Sequence, residues 1–256
     1  MHANSPVVES AQEGPHRRLS EVVERHRAHV WRQPIAAHSR QAWATLRDWL
    51  APRSDSPLIL DCGCGTGASS MGLAQRNPGS VIVGIDQSLQ RLSRQGEIGD
   101  GLLQLAANAV LLRAPLQDLW RLLRADGIRP QRQLLWYPNP WPKPEHLQRR
   151  WHAHAVFPTL LALGGDIELR SNWRIYVDEF AQALALHGWD SATTPIEVGD
   201  NPATPFERKY RDSGHPLWRL TARAVVARLV DDSHEAPGVQ GPSGVRRLAG
   251  ALDRER

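Results

Sequence analysis

Leu58-Ile-Leu-Asp-Cys-Gly-Cys-Gly-Thr-Gly67, followed by Val81-Ile-Val-Gly-Ile-Asp86, decides the fold. The first run is apolar and feeds directly into Gly-x-Gly-x-Gly, after which Ala68–Arg76 has helical character. Glycine permits dihedrals denied to residues with a Cβ and lets a ligand approach the backbone. The second run is again short and apolar, and it ends on a carboxylate placed to take both hydroxyls of a ribose. Strand, glycine turn, helix and second strand together open a parallel sheet.

Outward from this unit the alternation continues. The pattern predicts strands at Leu58–Cys62, Val81–Ile85, Leu102–Ala107, Gln133–Tyr137 and Asp166–Arg170. It predicts helices near Ala68–Arg76, Leu89–Glu97, Leu116–Ala125, His146–Leu163 and Ile175–His187. Strands alternating with helices make a parallel sheet covered on both faces. Two further strands, Ala192–Val198 and Leu217–Ala227, are expected to close one edge as an antiparallel hairpin, giving a seven-stranded sheet. Upstream, Val22, Val23, His26, Val30, Trp43, Leu46, Trp49 and Leu50 recur at helical spacing, and Pro34 divides them into two helices. The expected organisation is a disordered segment over 1–16, one domain over 17–230 with a helical extension at 17–50, and a flexible tail over 231–256.

Two cofactor types share the strand–glycine–helix plan. Dinucleotide sites favour Gly-x-Gly-x-x-Gly, with the helix N-terminus on a pyrophosphate. Here Gly63, Gly65 and Gly67 are spaced by two, and Asp61 precedes them. A carboxylate there repels a pyrophosphate but attracts the ammonium of a methionine moiety. The combination Leu-Asp-x-Gly-x-Gly-x-Gly resembles the first motif of class I methyltransferases, an α/β, Rossmann-like class. That resemblance implies S-adenosyl-L-methionine bound by Asp61, Gly63, Gly65, Gly67 and Asp86, with Asn108, at the third strand's end, on the adenine edge.

The fourth strand runs into Tyr137-Pro-Asn-Pro-Trp-Pro-Lys143, a proline-stiffened loop that holds Asn139 and Trp141, and then His146, Arg149 and Arg150. Ligands of open α/β sheets bind beyond the carboxyl ends of the strands, where this loop emerges. Ser171-Asn-Trp173 follows the fifth strand, and Thr204-Pro-Phe-Glu207, Arg208-Lys-Tyr-Arg211 and Ser213-Gly-His215 follow later. In this order the segments resemble the bacterial tRNA (guanine-N7)-methyltransferase family over roughly residues 58–227. The resemblance implies Asn139 at the catalytic position, with Trp141, Lys143, His146, Arg149, Arg150, Asn172, Thr204 and Glu207 on the substrate side. Three positions depart from it: Asn139 and Asn172 replace aspartates, and Glu145 stands where an arginine is expected.

Composition sets the remaining bounds. Only Lys143 and Lys209 are lysines among 31 basic residues, so the net charge of +4 is carried by arginine, which suits phosphates and stacks on bases. Cys62 and Cys64, one residue apart, suit neither a disulfide framework nor a zinc site and read as small buried residues. No apolar run approaches the ~20 residues that span a bilayer. The expectation is a cytoplasmic methyltransferase of guanine N7 in tRNA, or a close paralogue, monomeric or homodimeric, without metal. Its rivals are a same-fold N-methyltransferase acting on a small heteroaromatic or amine substrate, and a catalytically silent S-adenosylmethionine-binding protein.

Overall fold

Leu58–Cys62 (β1) lies at the middle of the sheet because every one of its side chains is buried, as a strand covered on both faces requires. It pairs in parallel with Val81–Asp86 (β2) on one side and Arg132–Trp136 (β5) on the other. A computed structural model describes residues 5–223. In it β2 continues to Ala109–Arg113 (β4), and β5 to Asp166–Ser171 (β6), both in parallel. Trp218–Arg223 (β8) and Asp190–Pro195 (β7) run antiparallel beyond β6. At the far edge Leu102–Ala106 (β3) folds back antiparallel on β4. The order is β3-β4-β2-β1-β5-β6-β8-β7, eight strands.

The α/β fold is therefore as expected, but the sheet has eight strands rather than seven, because one strand assignment changes. Leu102–Ala107 is not the third parallel strand; that place belongs to β4. Burial explains the swap: β4 is buried through Ala109–Leu112, whereas β3 is only half-buried, as an edge strand should be. The expected strand through Ala227 is described as far as Arg223, and the expected tail over 231–256 lies outside the described residues.

Alternation along β1 sends Leu58, Leu60 and Cys62 to one side and Ile59 to the other. The first side is the larger. It is covered by Leu19–Ala28 (α1), Ala37–Leu50 (α2), Leu116–Ala125 (α5), Phe157–Ala162 (α6) and Arg174–Leu186 (α7), each contributing buried apolar residues to one cluster. The second side is covered by Ala68–Arg76 (α3), through Leu73 and Ala74. Pro34 separates α1 from α2 as its missing N–H dictates. Trp43, Trp120 and Trp136 are buried, and Trp189 packs against the core.

Two helices are shorter than the pattern suggests. Leu89–Leu92 (α4) is one turn, capped by the Ser88 hydroxyl, and the chain then turns at Gly96, Gly99 and Gly101. His146–Leu163 is broken into 3-10 turns at Pro144–Arg149 and Trp151–Ala153 before α6. The last helix, Pro205–Asp212 (α8), precedes β8.

The disorder expected before residue 17 does not hold for residues 5–16. The Ser5 amide donates to Ser213 Oγ (3.1 Å), Ser10 Oγ to the Pro142 carbonyl (2.7 Å), and the His16 amide to Glu179 Oε1 (2.9 Å). These anchors lie more than 130 residues away, so no local pattern announces them.

Candidate active site

The glycine turn leaves β1 with Gly63, Gly65 and Gly67 all at positive φ (84°, 60° and 79°), where a Cβ is strained. A Cβ built on Gly63 or Gly65 meets no atom within 4 Å, so open space lies above the backbone there. At Gly67 it would stand 2.7 Å from Leu111 Cδ1, so that glycine serves close packing. Asp86 ends β2 beside this turn. Its Oδ2 accepts from the Gly65 amide (3.0 Å) and its Oδ1 from the Ser88 amide (2.8 Å), and Arg91 Nη1 stands 3.6 Å off. An open backbone cradle with a carboxylate fixed at its side fits an adenosyl cofactor whose ribose is bound through its hydroxyls.

Asp61 is 2% exposed, and its Oδ2 accepts from Ser69 Oγ (2.6 Å) and Ser70 Oγ (2.7 Å). Burial pushes its carboxyl pKa up against those two hydroxyls. It thus ties the start of α3 to β1, and only Oδ1 remains for a cofactor's ammonium.

Asn108 is removed from the cofactor set. It sits in the β3–β4 turn, and its carbonyl accepts from the Ile82 amide near the start of β2. Its Nδ2 donates to the carbonyls of Ala74, Asn77 and Ser80, which are 3.0–3.2 Å away. This is the amino end of the parallel strands, opposite the glycine turn. The side chain beside Asp86 at the carboxyl end is Arg113, paired with it in register, and its Nε is buried without a partner.

On the other side of β1, the loop after β5 begins with Tyr137, at φ 55°, whose amide donates to the Arg170 carbonyl at the end of β6 (2.8 Å). Asn139 is exposed, and its Oδ1 accepts from the Trp141 amide (3.2 Å). Trp141 adopts φ 47°, packs edge-on to His146 (centroids 5.5 Å apart) and lies under the Arg149 guanidinium at 4.7 Å. Lys143, Glu145 and Arg149 are exposed. Asn172, just past β6, donates from Nδ2 to His215 Nδ1 (3.1 Å).

Three residues expected on the substrate face are engaged internally instead. Arg150 is 0% exposed. Its Nη1 bonds both Glu179 oxygens (2.7 and 2.6 Å), Nη2 bonds Gln12 Oε1 (2.6 Å), and Nε and Nη2 bond the Trp141 carbonyl. Glu179 also takes His152 Nε2 (2.9 Å). Burial pushes its carboxyl up, but the bonds from His152 and Arg150 outweigh that and hold it at about 2. His152 itself is driven below the ordinary imidazole value by burial, so it donates as a neutral ring. Arg150 therefore holds the 137–143 loop onto α7 and cannot reach a phosphate. Thr204 caps α8, its Oγ1 accepting from the Glu207 amide (2.9 Å). Glu207 is buried and takes Tyr137 OH (2.9 Å), Arg170 Nη1 (2.7 Å) and the Ala203 amide.

Cys62 and Cys64 are buried free thiols whose pKa burial raises, which removes them from nucleophilic chemistry. Among the described residues, no cluster of three His, Cys, Asp or Glu side chains could hold a metal ion. No helix among them is long and apolar enough to cross a membrane. The sequence reading gave no role to Arg113, His215, Gln12 or Glu179. His215 alone carried a signal, in Ser213-Gly-His215.

Residues 55–220 match the model of a protein family described as "Putative methyltransferase". Among curated proteins, the tRNA (guanine-N(7)-)-methyltransferase of Nitrosococcus oceani is 29% identical over 184 residues, covering 66% of this chain and 72% of that protein. The Streptococcus thermophilus protein of the same name is 28% identical over 178 residues, covering 66% of this chain and 82% of its own. Among solved structures, a 16S rRNA (adenine(1408)-N(1))-methyltransferase from Catenulisporales acidiphilia superposes with a TM-score of 0.53 at 18% identity, over 71% of this chain and 92% of that one. At that identity the likeness is one of fold.

Proposed function

The chain belongs to this methyltransferase family, and from that premise we infer that it uses S-adenosylmethionine to methylate guanine N7 in tRNA. One observation carries the reading. The glycine turn, Asp86 and the 137–143 loop all leave the carboxyl ends of adjacent strands, in the order β2-β1-β5. A cofactor held on the first two thereby faces a substrate held by the third. The names of the curated relatives supply the acceptor, and the arginine-rich surface is compatible with RNA. Acting on tRNA, the enzyme works in the cytoplasm.

Asp86, Gly63 and Gly65 would hold the cofactor, with Asp61 Oδ1 toward its ammonium. When bound, the cofactor supplies an electrophilic methyl on a sulfonium. Guanine N7 carries an unprotonated lone pair at neutral pH, so the chain need supply no general base. Its task is in-line placement, which by itself can contribute ~7–11 kcal/mol. The Trp141 ring and the Arg149 guanidinium over it offer a base a stacking surface backed by a phosphate-binding charge. Arg150, through the Trp141 carbonyl, keeps that surface in place.

The test is methyl transfer to unmodified tRNA, with nucleosides analysed by mass spectrometry. The expected product is 7-methylguanosine. A methyl on another atom, or no transfer to any tRNA, would remove the acceptor assignment.

A further inference from the structure

Asn139 and Asn172 stand past the carboxyl ends of neighbouring strands β5 and β6, and internal hydrogen bonds fix which way round each amide is held. Asn139 Oδ1 is taken by the Trp141 amide at 3.2 Å, as in an Asx turn, so its Nδ2 protons are left to donate. Asn172 is held the opposite way. The Ser5 carbonyl can only accept, so His215 Nε2, 2.9 Å from it, is the donor side of the ring, and Nδ1 is left as the acceptor. That nitrogen accepts a hydrogen bond from Asn172 Nδ2 at 3.1 Å. Turning the amide over would set an oxygen lone pair against a nitrogen lone pair. Asn172 Oδ1 is therefore held on the side away from His215 with both lone pairs left to accept, and one Nδ2 proton is spent on the imidazole. His215 is itself buried and stacked on Tyr210, with centroids 5.4 Å apart and planes at 17°.

Guanine carries the matching pair on adjacent atoms, since O6 accepts and N1–H donates. Adenine carries the reverse, an N6 amino donor beside an N1 acceptor. N7 is a free acceptor in both, so the methylated atom cannot by itself tell the two bases apart. Resting on the guanine-N7 reading above, we propose that Asn139 and Asn172 form an amide pair of locked opposite polarity that selects guanine over adenine through O6 and N1–H. His215 is the positioning residue that sets Asn172. Aspartates at these positions, as the family resemblance leads one to expect, would offer no donor; the device belongs to this chain's asparagines.

The experiment measures kcat and KM for tRNA transcripts bearing guanosine, inosine or adenosine at the position the parent enzyme methylates. Parent, His215→Leu and His215→Asn are compared, and cofactor affinity is followed by calorimetry. Inosine keeps O6 and N1–H, so its kcat/KM should lie within about threefold of guanosine, while adenosine should fall at least ~100-fold because the spare amide ends are left mispaired. His215→Leu should lower kcat/KM for guanosine about tenfold and narrow the guanosine-to-adenosine ratio, with cofactor affinity unchanged. His215→Asn puts an amide oxygen near the place of Nδ1 and should restore both. Adenosine within tenfold of guanosine, a parental ratio in His215→Leu, or no rescue by His215→Asn overturns the proposal. The three-base comparison uses the parent alone and decides the matter even if His215→Leu fails to fold. A parent that puts no methyl on guanosine N7 overturns the underlying reading itself; normal guanosine methylation with the wrong base preference overturns only the amide pair.

Discussion

Asp86 and Arg150 are both buried ionic residues, and they answer to different tests. Asp86 faces the glycine turn, where its carboxylate bonds backbone amides and has capacity left for ribose hydroxyls. Asp86→Ala should weaken S-adenosylmethionine binding ~10- to 100-fold, the loss of charge-assisted bonds worth ~1.5–3 kcal/mol. Calorimetry giving a parental Kd would take Asp86 out of the cofactor site. Arg150 and its neighbour Arg149 look alike in sequence, yet one is sealed against Glu179 and the other lies exposed over Trp141. Arg150→Met leaves a buried carboxylate without its guanidinium and should cost ~3–5 kcal/mol of stability. Arg149→Ala should leave Tm unchanged and weaken tRNA binding instead. Equal Tm values for the two variants in a thermal melt would contradict this division.

At the scale of elements, the helix cap at α8 offers a clean measurement. Thr204 Oγ1 satisfies the Glu207 amide, so Thr204→Ala should lower stability by ~1 kcal/mol in denaturant titration. A contribution to substrate binding would appear separately, in KM. Thr204-Pro-Phe-Glu207 shows how far local pattern reaches: it marks a segment of consequence without saying whether its side chains face a ligand or their own helix. The glycine turn and β2 were legible because strand, turn and acidic end lie within one short stretch of chain. Leu102–Ala107 misled for a physical reason. A half-buried edge strand and a buried parallel strand both read as short apolar runs, and only pairing separates them. That single exchange moved Asn108 from one end of the sheet to the other. The anchoring of residues 5–16 was illegible because every partner is distant in sequence.

For the whole molecule, pH is the informative variable. His16, His26, His152, His154 and His187 are all driven below the ordinary imidazole value of 6.5, with burial the leading cause in each. A depressed folded-state pKa contributes stability that is present above the unfolded value and lost as pH falls through the folded one. Tm should therefore hold near pH 8 and begin to decline below about pH 6.5. Glu179, held at about 2, adds a further loss only below the ordinary carboxylate range near 4.5. Calorimetric scans with a flat Tm from pH 8 to 5 would contradict the assignment of one buried and four half-buried rings with depressed pKa values. The same burial gives the two cysteines a use as a clock. Cys62 and Cys64 flank Gly63 where β1 meets the turn, and neither thiol reacts while the strand is closed. Alkylation then counts openings of the central strand, one stopwatch per molecule, and a ligand that grips the turn should slow it.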